Sequence, residues 1–287
     1  MHSQMDAVFN GLYAGISSYH LSLAYHHPKL NTNFLWGLTY FNYGNTTETD
    51  ASGNVLGNFH PTDWVLQLSA SRRYEQRWNY GATIKFINSN YGQYRSNGLA
   101  VDAGLLYHDS ANLFSASVLA KNMGFQMKKY SGTEAGDLPF DLEIGATKRL
   151  ANAPFSFSLT AHHLQEFNIS YNDSVFNTDN GFRNANDSKF TFDKLFRHIV
   201  LAATVYLGDK VEVTAGYNHL RRQELNIGTA GNGLNGFSMG AALVLEKLQV
   251  RYTRSNYQNN TAYNQFGLNI TLNKYFSLGK FGDRIKW

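Results

Sequence analysis

The chain has 287 residues, a net charge of +4, a pI near 9.0 and no cysteine, which excludes a disulfide framework and a thiolate metal site. The basic excess is too small and scattered for nucleic-acid binding, and no stretch approaches the roughly 20 apolar residues of a membrane helix. Charged residues are 16% of the chain, against roughly 25% in an ordinary soluble domain, while aromatics reach 15%, so the charged skin of a soluble sandwich is missing.

Runs of extended character follow one another from a first segment at Met5 to Leu12, set off by a bend at Gly15. The next fall near 15 to 27, 32 to 43, 61 to 73, 78 to 91, 98 to 108 and 113 to 123. The remainder lie near 139 to 149, 154 to 166, 195 to 207, 210 to 222, 236 to 246, 248 to 257 and 263 to 273. Many of them alternate with period two. Leu99, Val101, Ala103, Leu105 and Tyr107 share one face, as do Phe155, Phe157, Leu159 and Ala161, then Val211, Val213, Ala215 and Tyr217. Phe237, Met239, Ala241, Leu243 and Leu245, then Phe266, Leu268, Ile270 and Leu272, continue the pattern. Charge is confined to the other face: Lys85, Asp102, Lys121, Asp141, Glu143, Glu212, Glu246 and Arg251. In lipid an outward Lys or Arg at the midplane costs about 2–4 kcal/mol, so charges retreat inward. The pattern predicts an all-β chain of one domain over residues 1–287, a transmembrane antiparallel barrel of about fourteen strands.

Connections alternate in length. Short ones fall at 28–31, 74–77, 109–112, 151–153, 208–209 and 246–247, and long ones at 44–60, 124–138, 167–194 and 223–235. Short periplasmic turns and long extracellular loops generate this alternation, which a sandwich has no reason to keep. It places both termini on the periplasmic side, with a basic aromatic tail at 274–287. Residues 1–10 lack the charged, apolar and small-residue regions of an export signal, so a signal peptide and a natural N-terminal segment are expected upstream.

Several motifs look like chemistry. Gly236-Phe237-Ser238-Met239-Gly240 matches the pattern of a hydrolase nucleophile elbow, but that motif needs a turn from strand to helix, and here a strand continues. Gly231, Gly233 and Gly236 spell a dinucleotide fingerprint with no helix after it. His26-His27 and His162-His163 are adjacent strand residues, expected on opposite faces and unable to share an ion. Asp141 and Glu143 share a face, where Lys85, Lys121 or Arg251 is expected to neutralise them. No catalytic residue, metal or cofactor is expected. The longest loop carries Tyr171, Phe176, Phe182, Arg183, Phe190 and Phe192 among Asn and Asp residues, and aromatic anchors in a polar loop suit protein recognition.

Seven segments carry a resemblance. They are Gly104-Leu105-Leu106-Tyr107-His108, Lys121-Asn122-Met123-Gly124, Leu138-Pro139-Phe140, Asp193-Lys194-Leu195 with Arg197-His198, Gly216-Tyr217-Asn218, Arg221 through Leu225, and Gly236 through Gly240. With them, nearly the whole chain resembles the PorQ family of the type IX secretion system of Bacteroidetes, itself similar to FadL-like fourteen-stranded outer-membrane barrels. The resemblance implies a non-enzymatic integral outer-membrane barrel, an accessory subunit that tethers a surface-exposed PorZ-like partner in an attachment complex with PorU-like and PorV proteins. It also implies contact with outer-membrane lipid and anionic lipopolysaccharide. The alternative is a FadL-like channel for hydrophobic small molecules, and a third reading is a lipid hydrolase built on Ser238 or on a serine beside His108.

Overall fold

The computed structural model describes residues 3–169, 191–225, 233–257 and 261–272. The first strands are β1 Gln4–Gly11, β2 Ser17–His27 and β3 Thr32–Asn42, then β6 Thr62–Tyr74, β7 Trp78–Tyr91, β8 Tyr94–Asp109, β9 Phe114–Lys128 and β10 Asp141–Arg149. There follow β11 Phe155–Ala161, β12 Ile199–Leu207, β13 Val211–Asn218, β14 Phe237–Val244, β15 Leu248–Tyr257 and β16 Thr261–Thr271. These fourteen strands form one closed antiparallel barrel in which each pairs with its sequence neighbours. The seam joins β1 to β16 in unbroken register from Gln4↔Thr271 to Gly11↔Asn264. Two more strands, β4 Thr46–Thr49 and β5 Val55–Phe59, make a separate hairpin between β3 and β6.

The short turns are made by residues that accept a left-handed backbone: Asn31, Glu75, Leu113 and Gly208 all have positive φ. All six short connections lie at one end of the barrel, and β3, β9, β11 and β13 leave for their longer connections from the other end, where the turns after β1 and β7 also lie.

The register assigns every strand residue to a face. Outward-facing side chains include Phe155, Phe157 and Leu159 on β11 and Phe237, Met239 and Leu243 on β14, all exposed. Among the described residues Ala100, at 1% exposure, is the one buried hydrophobic. A sheet protein with no apolar core and an apolar exterior is stable only where hydrocarbon covers that exterior. The outward strand charges are Arg72, Arg95, Asp109, Lys128, Lys148 and Arg254, each among the first or last four residues of its strand. The barrel therefore spans a membrane.

Differences from the sequence-based expectation cluster at the long-loop end. The expected strands at 154 to 166, 195 to 207 and 210 to 222 are each shorter, and residues Phe192–Arg197 and His219–Glu224 form short helices instead. Side-chain caps explain both: the Thr191 hydroxyl accepts from the Lys194 N–H, and the Asn218 side-chain carbonyl accepts from the Arg221 N–H. The hairpin β4–β5 lies where a plain loop was expected. The tail at 274–287 is outside the described residues.

The barrel wall has one marked irregularity. Between Val101↔Met123 and Ala103↔Ala120 the register shifts, so Asp102 faces both Lys121 and Asn122 in a bulge. Asn122 adopts positive φ, and its N–H donates to Asp102 Oδ1 at 2.8 Å. Two residues on, the backbone presses against β8 so closely that a Cβ on Gly124 would overlap the Leu99 carbonyl oxygen. Gly124→Ala should therefore destabilise the barrel by about 1–3 kcal/mol. Gly57→Ala in hairpin β4–β5, with nothing within 4 Å, should be near neutral; denaturant midpoints of the two variants in micelles provide the comparison.

Candidate functional site

The inner wall is polar and finely paired. Cross-strand hydroxyl pairs recur at Ser69–Thr83 (2.8 Å), Thr147–Ser158 (2.9 Å) and Thr204–Thr214 (2.8 Å). The expected charges collect mainly around the bulge. Lys85 Nζ lies 2.6 Å from Asp102 Oδ2 and donates to Asn122 Oδ1 at 3.0 Å. Lys121 Nζ bridges Glu143 Oε1 at 2.6 Å and Asp141 Oδ2 at 3.5 Å, so the carboxylate pair is neutralised across strands. Asp141 Oδ1 also accepts from the His163 N–H at 2.7 Å. On the far wall Glu212 and Arg251 both face Ala242, and Arg251 donates to Gln249 Oε1 at 2.8 Å. Glu246 departs from the expectation: β14 ends at Val244, which leaves Glu246 in the turn before β15.

These groups fasten the wall to itself. Paired carboxylates with a lysine between them have no free acid and base to exchange protons with a substrate. Ser238 sits inside β14 opposite Gly216, with no strand-to-helix turn to raise it. His108 Nδ1 lies 2.8 Å from Ser115 Oγ, but the neighbouring Asp109 carboxylate is taken up by Asn112 and Arg77. Neither serine is placed as an activated nucleophile with an oriented base.

A hollow of about 770 Å³ opens at the short-turn end between β2, β3 and β6 through β9. Its lining includes His26, Asn33, Arg73, Asn79, Leu106 and Leu119. The directly opposed Gly81 and Gly104 leave the wall bare there.

At the long-loop end side chains staple the two short helices to the barrel. Asp193 receives the Arg197 guanidinium at 2.9 Å and the His219 Nε2 at 2.9 Å, while His219 Nδ1 meets the Tyr217 hydroxyl at 3.0 Å. His198, 5% exposed, places its ring nitrogens 2.8 Å from the His162 carbonyl oxygen and 3.1 Å from that of Phe167. Asn235 is fully buried; its side-chain amide donates to the Leu225 carbonyl at 2.9 Å, and its main-chain carbonyl accepts from Arg222 at 3.4 Å. The next residue, Gly236, takes φ of +81°, and a Cβ there would lie 2.7 Å from the Asn218 carbonyl oxygen. The segments Asp193 to His198, Gly216 to Asn218, Arg221 to Leu225 and Gly236 onward, which carried the resemblance, thus meet as one set of staples.

His162 and His163 correct an expectation. Strand β11 stops at Ala161 and His163 has φ of +54°, so the two rings turn toward each other with their Nδ1 atoms 2.6 Å apart. Strand alternation does not govern residues past the strand end. Even so, among the described residues no three metal-ligating side chains group together.

Of the six residues expected to bind a partner, Tyr171, Phe176, Phe182, Arg183 and Phe190 lie outside the described residues. Phe192 opens the first short helix and is 73% exposed, with Leu195 and Phe196 also exposed. Sequence periodicity missed this helix because it has six residues, too few for a helical period to show. The hairpin β4–β5 likewise presents Val55 at 69% and Leu56 at 64% exposure.

The staples titrate in two separate windows. Burial alone would raise the Asp193 carboxyl, but hydrogen bonds from His219 and Arg197 outweigh it and hold the group below its ordinary value. Its stabilisation is present above the unfolded carboxylate value near 4 and is lost as pH falls through the lower folded value. Burial, reinforced by His163, depresses His162, so the neutral ring is favoured and acidification below the free-histidine range near 6.5 weakens the segment around it. Hydrogen exchange between pH 7.5 and 5.5 should therefore show loosening at 162–167 while 192–197 stays protected. Loosening at 192–197 should begin only near pH 4 and below.

No known family model matches the chain, and no curated protein sequence matches it. Among solved structures it is similar to a deltaS2S3 mutant of the TodX monoaromatic hydrocarbon channel, with 9% identity, 94% of this chain and 88% of that chain covered, and a TM-score of 0.49. It is similar to the CymD monoaromatic hydrocarbon channel at 12% identity, 94% and 87% coverage and a TM-score of 0.46. The KdgM porin gives 3% identity, 93% and 98% coverage and a TM-score of 0.40.

Proposed function

We propose that the chain is a non-enzymatic outer-membrane barrel that docks a surface-exposed protein at its long-loop end, as an accessory subunit of type IX secretion. The observation that carries this reading is the stapled helix Phe192–Arg197, which holds Phe192 at 73% and Phe196 at 47% exposure on a rigid mount beyond the strands. Exposed aromatic groups outside the lipid band are out of place on a free surface and suit a protein interface. The residues around the helix are those of the PorQ resemblance, which supports a PorZ-like partner within an attachment complex. Short turns then face the periplasm.

A second reading is a channel for hydrophobic small molecules. The hollow at the short-turn end favours it, since Leu106 and Leu119 offer apolar surface beside the bare Gly81–Gly104 wall.

A gentle-detergent pull-down of the full chain from native outer membranes, with mass spectrometry of what accompanies it, separates the two. The docking reading expects a PorZ-like protein and a sortase. It also expects their recovery to fall about tenfold in the Phe192→Ser, Phe196→Ser double variant and in a deletion of 170–190, with the barrel still folded; truncated interface anchors cost 1–2 kcal/mol or more. Recovery of the barrel alone, with solute flux across reconstituted vesicles, would transfer the assignment to the channel.

A further inference from the structure

The outward-facing charges differ between the two ends of the barrel. At the short-turn end each is tied to its own chain: Arg72 donates to the Leu30 carbonyl at 2.7 Å, Lys148 to the Asn112 carbonyl, and Asp109 is held by Asn112 and Arg77. At the long-loop end the outward charges are Arg95, Lys128 and Arg254, all exposed, and no side-chain hydrogen bond or ion pair holds them among the described residues. An arginine that faces lipid without a partner in its own protein costs free energy unless the lipid supplies one.

Arg254 has the surroundings of a site. Its cross-strand neighbours are Met239 on β14 and Asn264 on β16, and Asn256 follows on the same face. One pleat toward the bilayer stand Tyr252 and Phe266, 45% and 46% exposed, as an aromatic boundary. The Tyr252 hydroxyl donates to Asn264 Oδ1 at 2.8 Å, and the Asn264 amide nitrogen, turned away from the tyrosine, donates one hydrogen to the Ala262 carbonyl at 3.5 Å and keeps the other. A guanidinium beside two asparagine side chains, just past an aromatic boundary, presents donors at the depth of lipid headgroups. Phosphate is the anion that such a fork matches.

We infer that Arg254, with Asn256 and Asn264, binds the phosphate of an outer-leaflet glycolipid of the lipid A type. The site is independent of partner docking, because it lies on the lipid-facing wall of β14 to β16 rather than on the stapled helices. It rests on the long-loop end facing the outer leaflet.

The test titrates the full chain in micelles with bisphosphorylated lipid A, its dephosphorylated form, phosphatidylglycerol and inorganic phosphate. Wild type should bind bisphosphorylated lipid A most tightly, and Arg254→Gln should weaken that binding about fivefold, as one arginine at a charged lipid surface does. Arg72→Gln, a change at the opposite end, should leave it unaltered. Removing an outward charge should not impair folding, which a heat-modifiability gel verifies. Unaltered binding by folded Arg254→Gln, or equal binding of the dephosphorylated lipid, would overturn the site. Tighter binding of phosphatidylglycerol would overturn the outer-leaflet source, and displacement by inorganic phosphate would overturn the lipid source altogether.

Discussion

Closure of the sheet between β1 and β16 is the constraint from which the rest follows. Hydrocarbon offers no hydrogen bond to a free strand edge, so the first and last strands have to find each other, across more than 250 residues of chain, before the wall is complete. Once they do, β1 is paired on both sides over the same eight residues, Gln4 to Gly11. The register that closes the ring also fixes which side of every strand meets lipid. A slip of one residue would turn Phe9 inward and Asp6 outward, and the cost of that exchange in the bilayer holds the register.

With hydrocarbon packing the exterior, the interior is released from having to supply a core. It can be built from Ser, Thr, Gly and Asn, with Ser and Thr hydroxyl pairs spanning neighbouring strands. The charges then serve the wall. Lys85 of β7 pairs with Asp102 of β8, and Lys121 of β9 pairs with Asp141 and Glu143 of β10, so the bulge that lets Asp102 face two residues is held from both sides. An unpaired carboxylate against a half-buried wall would be expensive, and the pairing removes that expense locally. The bulge explains the Lys121-Asn122-Met123-Gly124 run as a structural unit: asparagine tolerates the left-handed turn and glycine permits the close approach.

The barrel was legible in the sequence because lipid imposes a period-two code on every strand, and the strand number follows from counting that code. The lumen charges were legible for the same reason, and Glu246 was misplaced because the code says nothing about where a strand stops. The long-loop end was much less legible. Its fold depends on pairs such as Asp193 with His219 and Asn235 with Leu225, which are far enough apart in sequence that no local pattern announces them. The caps at Thr191 and Asn218 were the available signals for the two short helices. The meeting of His162 with His163 depended on a strand ending one residue earlier than a histidine, a boundary that alternation does not resolve.

The contrast between the two ends carries the functional argument further than either end alone. Short turns need only a residue that accepts positive φ, and the chain spends little sequence on them. At the other end two six-residue helices, each too short to persist by itself, are capped, cross-linked by Asp193 and anchored through His198 and Asn235. A loop needed only to close the chain gains nothing from such fixation. A surface that must meet another protein gains a great deal, because ordering in advance removes the entropy that binding would otherwise have to overcome. The staples leave Phe192 and Phe196 exposed to water while fixing the backbone beneath them. The proposed docking face accounts for that combination of fixation and apolar exposure, whereas a freely moving gate would require the opposite.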